Sequence, residues 1–182
     1  MKTVLVPLAP GFEEIETITV VDILRRAGAK VTLAGTQEGP LQGSRGVHVM
    51  ADDSLDNVIE NDFDLVVLPG GQPGTDNLCK DTRVAQLLKK MDQLHKYIAA
   101  ICAAPLVLKK VGIIENRRIT SHPFVQGEML GTAYQDERVV VDGHIVTSRS
   151  PGTAMEFSLK LVEILFGIDR RNVVKKGVLA KI

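Results

Sequence analysis

No tryptophan occurs in the chain, and two tyrosines and five phenylalanines are the only carbocyclic aromatics among its 182 residues. A core built from such a composition has to be aliphatic, drawn from Val, Ile, Leu and Ala. Charge of one sign is also missing, because 22 Lys and Arg stand against 22 Asp and Glu. A balanced surface recruits neither nucleic acid nor an anionic membrane. The one basic cluster, Arg170, Arg171, Lys175 and Lys176, reads as a solvated helix face. Only two cysteines are present, Cys79 and Cys102, which excludes a disulfide framework and any Cys-x-x-Cys pair for zinc or dithiol exchange. A reducing, cytoplasmic setting is therefore expected. The longest apolar run, Tyr97 to Leu108, is too short to cross a bilayer and contains Pro105.

What is present is an alternation of short β-branched runs with helical patterns, the signature of βαβ units and a parallel sheet covered on both faces. Val4–Leu8, Val31–Ala34, Leu65–Leu68 and Tyr97–Ile101 are the expected central strands. Two of them run into proline and glycine, at Val6-Pro7-Leu8-Ala9-Pro10-Gly11 and Leu68-Pro69-Gly70-Gly71-Gln72-Pro73-Gly74. Both turns should lie at the carboxyl edge of the sheet, where open α/β folds keep their ligand crevice. Asp81 is placed to cap a helix carrying Val84, Leu87, Leu88, Met91 and Leu94 at helical spacing. Thr153-Ala154-Met155-Glu156 has capping-box form ahead of the stripe Met155, Leu159, Val162 and Phe166, which stops at Gly167. Val139 to Val146, around Asp142-Gly143, predicts a hairpin added antiparallel to the sheet, and Gly46–Met50 another short strand. A single domain, residues 1–182, is expected: no linker, repeat or low-complexity segment divides the chain.

Cys102 stands where the fourth strand meets Ala103-Ala104-Pro105, a stretch suited to starting a helix. A thiol at a strand-to-helix elbow faces unsatisfied helix N–H groups, which favour its ionised, reactive form. Small neighbours relieve crowding there, as in a nucleophile elbow. The competing reading is a buried, inert thiol. Glu13, Glu14 and Glu16 open the first helix, where acidic residues complement the helix dipole. Glu16 differs from the other two because Val20, Ile23 and Ala27 share its stripe. Either it is solvated in the first turn, or it points inward with a raised pKa and exchanges a proton with the thiol. His122, ahead of Pro123 and after the apparent strand Arg118-Ile119-Thr120, is either structural or an imidazole beside Cys102. His48, His95 and His144 have weaker claims. No His-Glu-x-x-His motif or ligand cluster predicts a metal, and Gly70 to Gly74 lacks both the phosphate-loop ending and the dinucleotide fingerprint. Gly71 and Ala103 could offer backbone N–H groups to an oxyanion, though Gly71 also reads as an ordinary tight turn.

Taken together, Pro10 to Thr17, Arg25-Arg26-Ala27-Gly28, Gly43-Ser44-Arg45-Gly46, Leu68 to Gly71, Ala99 to Pro105 and Thr147 to Thr153 resemble the ThiJ/PfpI family. The resemblance is greatest to the branch holding the Parkinson-disease-associated deglycase and its bacterial relatives. It implies a flavodoxin-like three-layer α/β sandwich, usually a homodimer, working without a cofactor. It also implies Cys102 as an oxidation-prone nucleophile, Glu16 as its acid partner, His122 nearby, and Gly71 and Ala103 as the oxyanion site. Arg45 looks like an arginine that holds small anions near the pocket, and Arg26 like one contributed by a partner subunit. The implied substrates are α-oxoaldehydes such as methylglyoxal and early glycation adducts. The implied alternative is a redox-sensing stress chaperone acting through oxidation of Cys102. In one respect the chain departs from the family's protease-like branch, which has His directly after the cysteine where this chain has Ala103; peptide hydrolysis is not expected.

Overall fold

The computed structural model describes residues 1–182. Its strands are β1 (Thr3–Leu8), β2 (Lys30–Gly35), β3 (Pro40–Gln42), β4 (His48–Met50), β5 (Asp53–Ser54), β6 (Leu65–Leu68), β7 (Tyr97–Ile101), β8 (Arg118–Ile119), β9 (Ala133–Tyr134), β10 (Val139–Asp142) and β11 (Ile145–Ser148). Its helices are α1 (Glu14–Arg26), α2 (Leu55–Val58), α3 (Gly74–Lys80), α4 (Thr82–Gln93), α5 (Pro105–Val111), α6 (Ala154–Phe166) and α7 (Ile168–Gly177). Seven strands form one sheet in the order β10-β11-β7-β6-β1-β2-β5. All neighbours are parallel except β10 and β11.

Strand alternation divides the core in two. Val4, Val6, Leu8, Leu65, Val67, Ala99 and Ile101 face α1 and α6, where Val20, Leu24, Phe157 and Leu161 bury against them. Leu5, Val66, Leu68, Ile98 and Ala100 face the opposite layer, built on Leu78, Leu88, Val107 and Leu108 of α3, α4 and α5. Because both faces are covered, the central strands read as continuous apolar runs. The result is a flavodoxin-like three-layer sandwich.

Asp81 caps α4 as its position predicts, accepting the Arg83 N–H at 2.9 Å. Three details differ from the sequence reading. The hairpin around Asp142-Gly143 contributes only β10 antiparallel, since β11 lies parallel to β7. The strand expected from Gly46 begins at His48 and pairs with β3, outside the main sheet. Thr153 does not cap α6: its hydroxyl turns back to accept the Ser150 N–H at 3.1 Å and to meet Ser148 Oγ at 2.7 Å. This fixes the loop after β11, whose Pro151 reaches the functional edge.

No helix is long and apolar enough to cross a membrane.

Candidate active site

The carboxyl ends of β1, β6 and β7 deliver three turns to one place. Residue Cys102 follows β7 directly and sits at φ +64°, a left-handed conformation that a side-chain-bearing residue adopts only at a cost of about 1–3 kcal/mol. The surroundings hold it there: its N–H donates to Ser148 O at 3.0 Å, and its carbonyl accepts the His122 N–H at 2.8 Å. The strain turns the thiol outward, half-buried, into a cavity of about 470 Å³. Residues 102–104 form the elbow, and α5 starts only at Pro105.

Of the two readings open for Glu16, the inward one holds: the side chain is fully buried. Its Oε2 accepts the Gly70 N–H at 2.8 Å, its Oε1 has no partner, and its carboxyl lies beside Cys102 across Gly70. Burial pushes this carboxyl up to about 7, against the lowering effect of Cys102 and the Gly70 N–H. The close approach depends on Gly70, because a Cβ there would stand 2.7 Å from both Cys102 Cβ and Glu16 Oε2.

The expectation of a thiol ionised by its elbow alone requires correction. Burial, followed by the charge of Glu16, pushes the Cys102 thiol strongly upward, and the N–H groups of Ala103 and Gly71 on its sulfur lower it less. The two acids are one coupled unit. The carboxyl gives up its proton first, near neutrality, and its charge then holds the neighbouring thiol protonated.

Gly71, at φ +94°, presses its loop onto the α1 approach, where a Cβ would lie 2.5 Å from Glu13 N and Gly11 O. That geometry and the elbow aim the N–H groups of Gly71 and Ala103 at one point, the sulfur, and neither has a backbone partner. His122 reaches the cavity wall, but no hydrogen bond joins its ring to the thiol. Its Nδ1 instead accepts the Phe124 N–H at 3.2 Å, and Phe124 stacks on its ring at 4.9 Å. In a neutral ring, an accepting Nδ1 leaves the proton on Nε2.

Arg45 lines the same cavity, on a turn fastened by a residue that sequence reasoning gave only a dipole role. Glu14 accepts the N–H groups of Arg45 at 2.7 Å and Val47 at 3.3 Å and the hydroxyl of Ser44 at 3.2 Å. Glu13, likewise assigned to the dipole, is the N-cap of α1, accepting the Glu16 N–H at 2.7 Å, and it lines the cavity as well. Arg26 does not belong to the site of its own chain. It ends α1, roughly 18 Å of helix from Glu14, paired with Asp22 at 2.8 Å. Phe124, Val125 and Pro151 complete the cavity's apolar wall, and no motif marks them beyond their proximity to His122 and Thr153.

An αL thiol at the carboxyl edge of a flavodoxin-like sheet, paired with a buried carboxyl and faced by two free N–H groups, defines a cysteine-centred α/β fold. The profile of the DJ-1/PfpI family matches residues 2–164, and the chain belongs to that family. Protein dj-1beta of Drosophila melanogaster is 45% identical over 181 residues, covering 98% of this chain and 97% of that protein. The crystal structure of Drosophila DJ-1beta superposes with a TM-score of 0.97 at 43% identity, covering 100% of this chain and 99% of the other. A Caenorhabditis elegans relative, 38% identical over 178 residues and covering 96% and 95% of the two chains, is named glutathione-independent glyoxalase DJR-1.2.

Proposed function

We propose that this protein is a cofactor-independent enzyme that converts α-oxoaldehydes such as methylglyoxal, free or as early glycation adducts, into 2-hydroxy acids. The observation that carries the reading is the placement of the fully buried Glu16 carboxyl beside Cys102, whose sulfur is faced by two N–H groups. The relative named as a glyoxalase supports it.

In this reading Glu16 takes the thiol proton as sulfur bonds to the aldehyde carbon, and the resulting alkoxide is received by the Gly71 and Ala103 N–H groups. Glu16 returns that proton to the alkoxide, giving a neutral hemithioacetal. As a carboxylate again, it removes the hydrogen from the former aldehyde carbon as a proton, leaving the electron pair in an enediolate. The His122 Nε2–H is available to steady the enediolate oxygen. Glu16 then delivers the proton to the adjacent carbon while the hydroxyl proton on the sulfur-bearing carbon passes to the neighbouring enediolate oxygen, producing a thioester of the 2-hydroxy acid. Water breaks the C–S bond, releases the acid and restores the thiol. One water is added overall, and no outside oxidant is required. A carboxyl titrating near 7 suits repeated proton transfer at neutral pH.

Incubation with methylglyoxal and an assay for lactate tests the reading: wild-type turnover is expected, with Cys102→Ala inactive. Unchanged turnover in that variant would reject it.

The same geometry favours a second reading, a redox sensor or stress chaperone. A sulfinate on Cys102 would accept hydrogen bonds from the two N–H groups and from protonated Glu16. Selective oxidation of Cys102 over Cys79 by mild peroxide, with no aldehyde turnover, would favour it.

A homodimer is part of the proposal. Ile15 and Ile18 on α1 and Val47, whose N–H bonds Glu14 of that helix, are exposed by 45–56%, apolar surface that a second copy would cover. Arg26 lies on the same stripe of α1 as Ile15, Ile18 and Asp22. Two-fold pairing along that stripe brings the partner subunit's Arg26 toward the end of α1 that carries the pocket. Sedimentation of wild type against Ile18→Asp tests this. A cytoplasmic location fits two free cysteines.

A further inference from the structure

Phe124 is the most conspicuous group at the site that the proposed chemistry leaves unused. It is 93% exposed, yet its ring is not adrift: it stacks on His122 with centroids 4.9 Å apart and planes 27° from parallel. The imidazole touches the ring without covering it, so nearly all of the ring is open, and it lines the same cavity as Cys102. Val125 and Pro151 extend the apolar wall, and the cationic side, Ser44 and Arg45, belongs to the separate turn held by Glu14. The cavity, about 470 Å³, falls in the range that accommodates drug-sized ligands, and a three-carbon aldehyde fills only a fraction of it.

We propose that Phe124 is a specificity-determining residue whose exposed ring stacks on the substituent of α-oxoaldehydes larger than methylglyoxal, selecting those with an aryl group. The proposal rests on the aldehyde chemistry inferred above and deepens it. Offset stacking on a ring already ordered by His122 costs little additional side-chain entropy. The aryl group would lie along Phe124 and Val125 while the carbonyl carbon meets the sulfur. An arylglyoxal then follows the same redox-neutral course, adding one water and leaving as an aryl 2-hydroxy acid.

The Phe124→Ala variant isolates the ring. The hydrogen bond to His122 Nδ1 comes from the backbone N–H of residue 124, which alanine retains, and a side chain this exposed contributes little to the core. Two measurements decide. In steady-state turnover of phenylglyoxal to mandelate and methylglyoxal to lactate, Phe124→Ala is expected to lower kcat/KM for phenylglyoxal about fivefold, mainly through KM. Methylglyoxal should change less than twofold, and Phe124→Leu should fall between. Independently of turnover, in a Cys79→Ser background, the ratio of Cys102 alkylation rates by iodoacetanilide and iodoacetamide should drop by a similar factor in Phe124→Ala. If neither aldehyde is turned over, the proposed enzyme activity fails, and the alkylation ratio alone decides whether the ring recognises aryl groups. An unchanged ratio in either measurement that gives a signal overturns the inference.

Discussion

Gly70 donates its backbone N–H to Glu16 Oε2 at 2.8 Å, and the side chain it lacks is what lets that carboxyl meet Cys102. A methyl group at residue 70 would stand 2.7 Å from Glu16 Oε2 and Cys102 Cβ and 3.0 Å from Ile101 O. Neither a buried carboxyl nor a strand end can yield freely. Gly70→Ala is expected to separate the acid from the sulfur, costing about 1–3 kcal/mol of stability and at least tenfold in methylglyoxal turnover. Denaturant titration and lactate assay check the two effects.

Thiol reactivity should follow the carboxyl. With Glu16 titrating at about 7, Cys102 alkylation by iodoacetamide is expected to rise with pH through a midpoint near neutrality, as the carboxylate becomes available to accept the thiol proton. In Glu16→Gln no acceptor remains and burial still opposes the thiolate, so the midpoint should move above the ordinary thiol value of about 8.5. Rate against pH, followed by peptide mass to separate Cys102 from Cys79, provides the test. A profile indifferent to Glu16 would break the link between the two groups.

Stability should carry the same signature with the opposite benefit. The folded protein holds the Glu16 proton more tightly than the unfolded chain, because burial raises this carboxyl from 4.5 to about 7. Its contribution is therefore full below about pH 4.5 and is lost as pH rises through about 7, a change on the order of 3 kcal/mol. Glu16→Gln keeps an acceptor for Gly70 and has no charge to bury. Its melting temperature at pH 8 should exceed that of wild type, and the difference should vanish by pH 4.

Glu14 makes the reverse case. Burial raises its carboxyl, but the N–H groups of Arg45 and Val47, the helix start and the Ser44 hydroxyl together bring it below 4.5. Its contribution is present above that pH and is lost as acid protonates it in the folded state. Glu14→Ala should release the turn bearing Arg45, raising KM for the aldehyde severalfold with little change in kcat. Paired kinetic constants at neutral pH check it.

Much of this molecule can be read from its strands. Val4–Leu8, Leu65–Leu68 and Tyr97–Ile101 are apolar on both faces, and the observed sheet buries both. Cys102 and Glu16 were legible because one ends such a strand and the other interrupts a helix's polar start with an inward stripe. The thiol's ionisation was not, since helix N–H groups argue one way and desolvation the other, and only packing sets their balance. Glu14 escaped for a similar reason: its partners are the backbone of a turn thirty residues on, which no local pattern reveals. The hairpin's parallel inner strand depends on which sheet edge it joins, a long-range outcome. Thr153 matched a local capping pattern, yet its hydroxyl is better satisfied by Ser148 and Ser150.

The rim that carries Phe124 is pinned by main-chain atoms: His122 N–H to Cys102 O, and Val125 N–H to His122 O at 3.0 Å. The exposed side chain at position 124 is therefore free to be exchanged while the reacting centre keeps its shape, whereas Val125 is held in the core. Descendants of this scaffold can retune what they accept by single replacements there, with the chemistry inherited intact.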